Sequence, residues 1–233
     1  MSRKPEVLQL FDEKSHAYTY LLWDHISKES IIIDPVLEQF DRDMGLIEEL
    51  DLRLRYIFET HIHADHVTSS DLLRSKTKAL IALSKFAGVE CADVQIDDGQ
   101  EFNFGAFQIR AIHSPGHTAA CITYECEENL FTGDALLIRK CGRTDFQEGN
   151  SQVLFQSVRD RLFKFPNHYC VYPGHDDRGV SKSTILQEKK FNERLSEDIS
   201  EDQFVHLMKN LNLPNPKLMD TALPRNLNCG KRK

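Results

Sequence analysis

The amino-acid sequence predicts an α/β protein in which two β-sheets pack against each other and helices lie outside them. Short runs rich in β-branched and aromatic residues alternate with turn signals through much of the chain. Residues 94–134 are predicted to be almost entirely β-strand, whereas residues 151–165 space their apolar side chains as an amphipathic helix does. Strands followed by blocks of helix and strand are typical of packed sheets with helices outside.

The first part of the chain is predicted to contain strands that alternate with helices. Strands are predicted at residues 17–24, 30–35, 55–60 and 78–84. Pro35 ends the second of these, because proline cannot donate to a ladder of backbone hydrogen bonds. Near-helical spacing of apolar residues predicts a helix over 40–52, and a second helix is predicted over 69–76 with a serine cap.

The second part of the chain is predicted to end in helices. Asp98-Gly99 and Gly105 supply turns within the β-rich region. After the helix at 151–165, residues 168–175 are predicted to form the last strand. Two further helices are predicted over residues 184–195 and 200–211.

Charge and hydropathy argue against two classes of partner. The chain has 233 residues and a formal net charge of −7. General nucleic-acid binding needs Lys and Arg that neutralise phosphates, so this charge argues against it. No apolar run reaches the ~18 residues of a membrane span, and we therefore expect no membrane partner.

The cysteines predict a reducing compartment. They form no CxxC pair and no regular framework, and the start of the chain lacks the apolar core of a secretory signal. We therefore expect reduced thiols and a cytoplasmic location. The six cysteines are Cys91, Cys121, Cys126, Cys141, Cys170 and Cys229.

The densest group of chemically capable side chains lies in ETHIHADHVTSS, residues 59–70, which contains His61, His63, Asp65 and His66. In an extended loop, side chains two residues apart point the same way, so His61 and His63 can converge on one point. The side chains of Asp65 and His66 then point toward a second position nearby. Imidazole and carboxylate are ligand types of zinc, iron and manganese sites. The segment therefore predicts a metal site rather than a polar surface loop.

Three later segments place further candidate ligands on loops at strand ends. SPGHT carries His117, FTGDAL carries Asp134 and YPGH carries His175. Each motif alone is more often a plain turn. Together with the first cluster, they put five of the 10 histidines and two aspartates on such loops, where binding groups usually sit on a rigid sheet.

This ordered set resembles the signature of the metallo-β-lactamase superfamily, HxHxDH followed by a His, an Asp and a His on later loops. The resemblance implies an αββα sandwich, with two mixed β-sheets flanked by helices and the metal centre at one edge of the sheets. It implies one catalytic domain over residues 1–233, with a short helical C-terminal extension over about 176–233. The superfamily holds hydrolases, nucleases and oxidoreductases, so the fold alone does not give the reaction.

Finer motifs resemble the persulfide dioxygenase (sulfur dioxygenase) family, from about residue 6 to residue 230. They are SPGHT at 114–118, GDALLIRKCGRTDFQEG at 133–149, and FVHLMKNLNLPNPKLMD with LPRNLNCG within 204–230. The resemblance implies one iron(II) per chain, held by His61, His117 and Asp134. It also implies oxidation of glutathione persulfide, with O2 and water, to glutathione and sulfite. Three ligands on one face of iron leave up to three positions for water, oxygen and substrate.

The remaining motif residues are assigned by the same resemblance. Arg143 is the candidate for binding a glutathione carboxylate, because a guanidinium can hold a carboxylate through two hydrogen bonds. Asp177 departs from the family, whose animal members often have tyrosine there. An anion at that position disfavours an anionic substrate group, so another low-molecular-weight persulfide stays an alternative. Four residues are expected to orient the iron ligands and hold water: His63, Asp65, His66 and His175.

Two other functions stay open at this point. A dinuclear zinc hydroxyacylglutathione hydrolase, a thioesterase of the glyoxalase II kind, is the main alternative, because all seven of its usual metal-site residues are present. Residues 176–233 are short for the helical glutathione-binding region of that enzyme. A non-catalytic metal or sulfur carrier is a further alternative, and the intact ligand set argues against it. A homodimer is one expected assembly.

Overall fold

The computed structural model describes residues 3–231 and has the αββα arrangement that the superfamily resemblance implies. Two six-stranded mixed sheets pack face to face over this range, with helices on their outer sides. The alternation of side chains along each strand explains the layers. In β2 (Tyr18–Trp23), Tyr20 and Leu22 face the other sheet, whereas Leu21 faces the outer helices.

The first sheet is antiparallel at one side and parallel at the other. Its strand order is β1-β2-β3-β4-β5-β6, with parallel pairing from β3 onward. Parallel neighbours need crossover connections, and α1 (Phe40–Glu49) and α2 (Ser70–Thr77) supply two of them. The other strands are β1 (Glu6–Phe11), β3 (Glu29–Ile33), β4 (Arg53–Phe58), β5 (Leu80–Ser84) and β6 (Val94–Ile96).

The second sheet has strand order β12-β11-β10-β9-β8-β7, with only the β10–β11 pair parallel among its described strands. The predicted last strand is followed by a short edge strand, β12, that pairs with it. The strands are β7 (Glu101–Phe104), β8 (Phe107–His113), β9 (Ile122–Cys126), β10 (Asn129–Gly133), β11 (Cys170–Pro173) and β12 (Ser183–Thr184).

The later helices cover the second sheet and the C-terminal end of the chain. They are α3 (Ser151–Gln156), α4 (Ile185–Phe191), α5 (Glu201–Lys209) and α6 (Met219–Asn226). The predicted helix over 151–165 begins as α3 and continues as a π turn and a 3-10 turn up to Lys164. Short 3-10 helices also occur at Leu37–Gln39 and Lys85–Ala87. Helix α6 was not predicted, since it contains Pro224.

Aromatic side chains fill the space between the sheets. The rings of Phe58 and Tyr124 lie 4.9 Å apart between centroids, and those of Tyr20 and Phe131 lie 5.0 Å apart. All four side chains are fully buried, so they contribute large apolar contact areas that hold the two sheets together. Within residues 3–231, no helix is both long enough and apolar enough to cross a membrane.

The prediction that all six cysteines are reduced thiols is wrong. Cys91 and Cys229 form a disulfide between positions 138 residues apart. The spacing of cysteines could not reveal this pair, because it depends on the C-terminal segment folding back beside β5 and β6. The argument from reduced thiols to a cytoplasmic location therefore loses its support. The free cysteines of the described chain are Cys121, Cys126, Cys141 and Cys170.

Candidate metal centre

Loops that follow β4, β8, β10 and β11 meet at one edge of the sandwich and bring the predicted metal-site residues together. The ring centroids of His61 and His63 are 4.1 Å apart, and those of His61 and His117 are 4.8 Å apart. The seven residues assembled there are His61, His63, Asp65, His66, His117, Asp134 and His175.

Three of these residues form a face that one metal ion can occupy. The ligand atoms of His61, His117 and Asp134 all lie within 4.8 Å of one another. The Nε2 atom of His117 is 3.6 Å from Oδ2 of Asp134, and the rings of the two histidines are nearly perpendicular at 86°. Both histidines are buried. The set therefore offers two imidazoles and one carboxylate to a common point.

Hydrogen bonds fix both imidazoles with Nε2 as the free acceptor. The Nδ1 atom of His61 is 3.0 Å from Oγ1 of Thr60, which itself donates to Oδ2 of Asp34 at 2.7 Å. Because that hydroxyl proton is already used, Nδ1 of His61 is the donor. The Nδ1 atom of His117 donates to the Arg143 carbonyl oxygen at 2.7 Å. Metal-binding histidines are oriented in this way, so the donor set fits a bound metal ion.

His175 cross-links the two carboxylates of the site. Its Nδ1 atom is 2.7 Å from Oδ1 of Asp134, and its Nε2 atom is 2.9 Å from Oδ2 of Asp65. Burial opposes the charged imidazole, but the two carboxylates outweigh it and raise the pKa of His175 well above its usual value. His175 therefore orients Asp134 and leaves Oδ2 of that carboxylate turned toward His117.

His63 is held by buried carboxylates that the sequence analysis did not assign to the site. Its Nε2 atom is 3.0 Å from Oδ1 of Asp34 and 3.5 Å from Oε2 of Glu59. Burial alone would lower the pKa of His63, but Asp34 and Glu59 raise it well above the usual value. The only sequence signals were the aspartate that ends the IIIDP strand and the glutamate just before the histidine cluster. A second group of close donor atoms, from His63, Asp65 and His66, lies beside the three-residue face.

A cavity of about 440 Å³ opens above the three-residue face. Arg143 lies on its wall, where the guanidinium pairs with Asp145 at 2.6 and 2.7 Å and lies over the Phe146 ring at 4.7 Å. Asp177 also lines the cavity, and its carboxylate is 3.0 Å from Nδ1 of His16. The other charged side chains that line the cavity away from the metal ligands are Lys140, Arg194 and Lys217. The cavity can therefore accept an anionic ligand beside a metal ion.

Gly142→Ala is expected to lower metal affinity by at least about tenfold, the smaller end of the loss seen when groups that orient ligands are disturbed. A Cβ at Gly142 would lie 2.6 Å from the Asp134 carbonyl oxygen and 2.7 Å from Nδ1 of His117. Both ligands must therefore shift. Titration of the metal-free protein measures the effect. Gly45→Ala is the control, because a Cβ there meets nothing within 4 Å, and equal affinities in the two variants would contradict the prediction.

Known proteins resemble this chain over nearly its whole length. The family model described as the metallo-beta-lactamase superfamily matches residues 14–93 and 91–175. The mitochondrial persulfide dioxygenase ETHE1 of Bos taurus and that of Homo sapiens are each 46% identical over 225 residues, covering 95% of this chain and 87% of the relative. The crystal structure of ETHE1 from Myxococcus xanthus has a TM-score of 0.94 and 46% identity, covering 97% of this chain and 100% of that one.

Proposed function

Because this chain belongs to the persulfide dioxygenase family of the metallo-β-lactamase superfamily, we propose that it oxidises glutathione persulfide with O2 and water to glutathione and sulfite. The observation that carries the proposal is the face formed by His61, His117 and Asp134. Two imidazoles and one carboxylate on one side of a metal are typical of non-haem iron(II) oxygenases.

The proposed cofactor is one iron(II) per chain. Iron(II), when bound, supplies electron exchange with dioxygen, which zinc with its filled d shell does not. A single metal is what the family resemblance implies, and the contacts of two histidines beside the face are compatible with it. His175 has both ring nitrogens at carboxylates, and His63 points Nε2 at Asp34 and Glu59. In a two-metal hydrolase these imidazoles would instead be metal ligands.

Metal content tests the cofactor proposal. Protein made without added metal is expected to carry about one iron per chain by elemental analysis. The metal-free protein should regain oxygen uptake with iron(II) and stay inactive with zinc. Two zinc ions per chain with full activity would overturn the proposal and favour the thioesterase alternative, which the second donor group of His63, Asp65 and His66 would then serve.

Arg143 is the proposed anchor for a substrate carboxylate. Its guanidinium already binds a carboxylate through two hydrogen bonds, that of Asp145, at the cavity wall. A substrate carboxylate would take the place of Asp145 in this pair. The carbonyl oxygen of the same residue accepts from His117, so the side chain can be removed without removing the group that orients the ligand.

Arg143→Ala is expected to raise KM by about tenfold or more, because a hydrogen bond to a charged group contributes about that factor to binding. The change in kcat should be smaller. Steady-state kinetics with glutathione persulfide measure the split, and the iron content should stay that of the wild type. Arg53→Ala is the control, since it removes an exposed arginine paired with Glu29 outside the cavity. An unaltered KM would show that Arg143 does not bind the substrate.

Asp177→Tyr is expected to lower KM for glutathione persulfide, because it removes an anion from a cavity that binds an anionic substrate. The effect should be less than about fivefold, since Asp177 is an exposed carboxylate already paired with His16. The same kinetic assay measures it. A higher KM would indicate that the carboxylate attracts a cationic group of the substrate instead.

The cytoplasmic location and the homodimer stay predictions from the sequence. The name of the bovine and human relatives places them in mitochondria, and the disulfide does not favour a reducing compartment. Fractionation of the producing cells tests the location, and sedimentation of the purified chain tests the assembly.

A further inference from the structure

A side chain from the last helix binds the backbone of the histidine loop, which we define as residues 61–66. Asn226 is 3% exposed. Its Nδ2 atom donates to the carbonyl oxygens of His63 and His66, both at 2.8 Å. Its Oδ1 atom accepts from the backbone N–H of Thr68 at 2.9 Å. One carboxamide therefore makes three hydrogen bonds that close the loop.

These bonds bear on the metal site through the path of the loop. A buried backbone group that is left without a hydrogen-bond partner destabilises the folded state. Without the Asn226 carboxamide, the loop would have to move to find other partners. His61 precedes His63 by two residues, so the path of the loop also sets the direction of that ligand.

The segment that carries Asn226 is itself fixed at several points. We call residues 226–230 the C-terminal clasp. The Cys229 carbonyl oxygen accepts from the backbone N–H of Asp71 at 3.1 Å, at the start of α2. Gly230 has φ +83°, and a Cβ there would lie 2.1 Å from the Thr68 carbonyl oxygen. The disulfide of Cys229 with Cys91 then ties the clasp to the segment between β5 and β6.

We infer that Asn226 is a positioning residue for metal binding, and that the Cys91–Cys229 disulfide holds it against the histidine loop. Metal affinity therefore depends on the oxidation state of this cysteine pair. A dithiol reductant gives up two electrons and two protons, becomes a disulfide, and leaves Cys91 and Cys229 as thiols. Asn226 is then held by non-covalent contacts alone. The inference rests on the metal site of the proposed function, but on no property of its substrate.

The test of the positioning role is a titration of metal-free protein with iron(II) under anaerobic conditions, and with zinc in parallel. Asn226→Asp keeps an acceptor for the Thr68 N–H but cannot donate to the carbonyls of His63 and His66. Affinity is expected to fall about 10–100-fold for both metals. Leu54→Ala is the control for general destabilisation, because Leu54 is buried at the opposite end of β4. Its affinity should match the wild type.

The dependence of metal affinity on the disulfide is tested with Cys91→Ser. The control is Cys170→Ser, which removes a cysteine outside the disulfide. Cys91→Ser is expected to bind metal more weakly than the wild type, and less weakly than Asn226→Asp. Wild-type protein that has been reduced with dithiothreitol and desalted should match Cys91→Ser. Hydrogen exchange of residues 61–68 in the reduced wild type should be faster than in the oxidised protein, which tests the clasp without any substitution.

Two results would overturn the inference. Wild-type affinity in a folded Asn226→Asp variant would remove the positioning role. Unchanged affinity in Cys91→Ser, with unchanged exchange after reduction, would remove the redox dependence. Failure of the proposed function is distinguishable, because it would appear as a wild-type protein that binds metal and consumes no oxygen.

Discussion

His117→Ala is expected to abolish metal binding and oxygen uptake together. The substitution removes one of the three donors on the face, and leaves His61 and Asp134 as the remaining pair. Loss of groups that only orient ligands costs about 10–100-fold in affinity, so loss of a ligand itself should cost more than about 100-fold. Elemental analysis and an oxygen electrode measure the two effects on the same sample.

The control for this variant is His168→Ala. His168 is exposed and lies near Glu128, in the turn before β11, whereas His175 follows the other end of that strand. This variant should keep wild-type metal content and rate. A His117→Ala protein with one metal per chain and a near-normal rate would contradict the assigned ligand set.

Cys91→Ser should produce the second large effect, a fall in the free energy of unfolding. The disulfide closes a loop between positions 138 residues apart, and a chain-entropy treatment of a loop that long gives about 5 kcal/mol as its contribution. Folded-state adjustments reduce such values, so about 2–5 kcal/mol is expected. Guanidinium unfolding without reductant measures the change.

Reduced wild-type protein should unfold at the same denaturant concentration as Cys91→Ser. Cys170→Ser should behave as the oxidised wild type, because it leaves the disulfide intact. Coincident unfolding of Cys91→Ser and oxidised wild type would show that the disulfide contributes nothing to stability.

The parts of the fold that the sequence predicted are those with a strong local pattern. The run before Pro35 is rich in β-branched isoleucine, and the run before His61 contains Tyr56, Ile57 and Phe58; they form β3 and β4. The first strand, β1, lacks such a pattern because it lies at the sheet edge and is partly or fully exposed along its length. Helix α6 is short and contains Pro224, a residue that predicts a break.

The residues of the candidate site also differ in how strongly the sequence predicts them. His61, His117 and Asp134 stand in motifs whose spacing and strand-end position carry the signal. Asn226 lies in LPRNLNCG, a segment that resembles the family but contains no pattern of metal ligands. Its role depends on a contact with residues about 160 positions earlier in the chain, which the sequence does not reveal. Asp34 gave only a weak signal, because an aspartate before a proline at a strand end is common in plain turns.

Oxidation of a persulfide by dioxygen can be distinguished from thioester hydrolysis in a single experiment. Iron-loaded protein is placed in an oxygen electrode with glutathione persulfide, sulfite is measured alongside, and a parallel sample receives S-lactoylglutathione. One O2 should be consumed for each sulfite formed, and the thioester should not be cleaved. Rapid thioester cleavage without oxygen uptake would contradict the proposed oxidation, because a metal-bound hydroxide that attacks a carbonyl is the chemistry of a hydrolase.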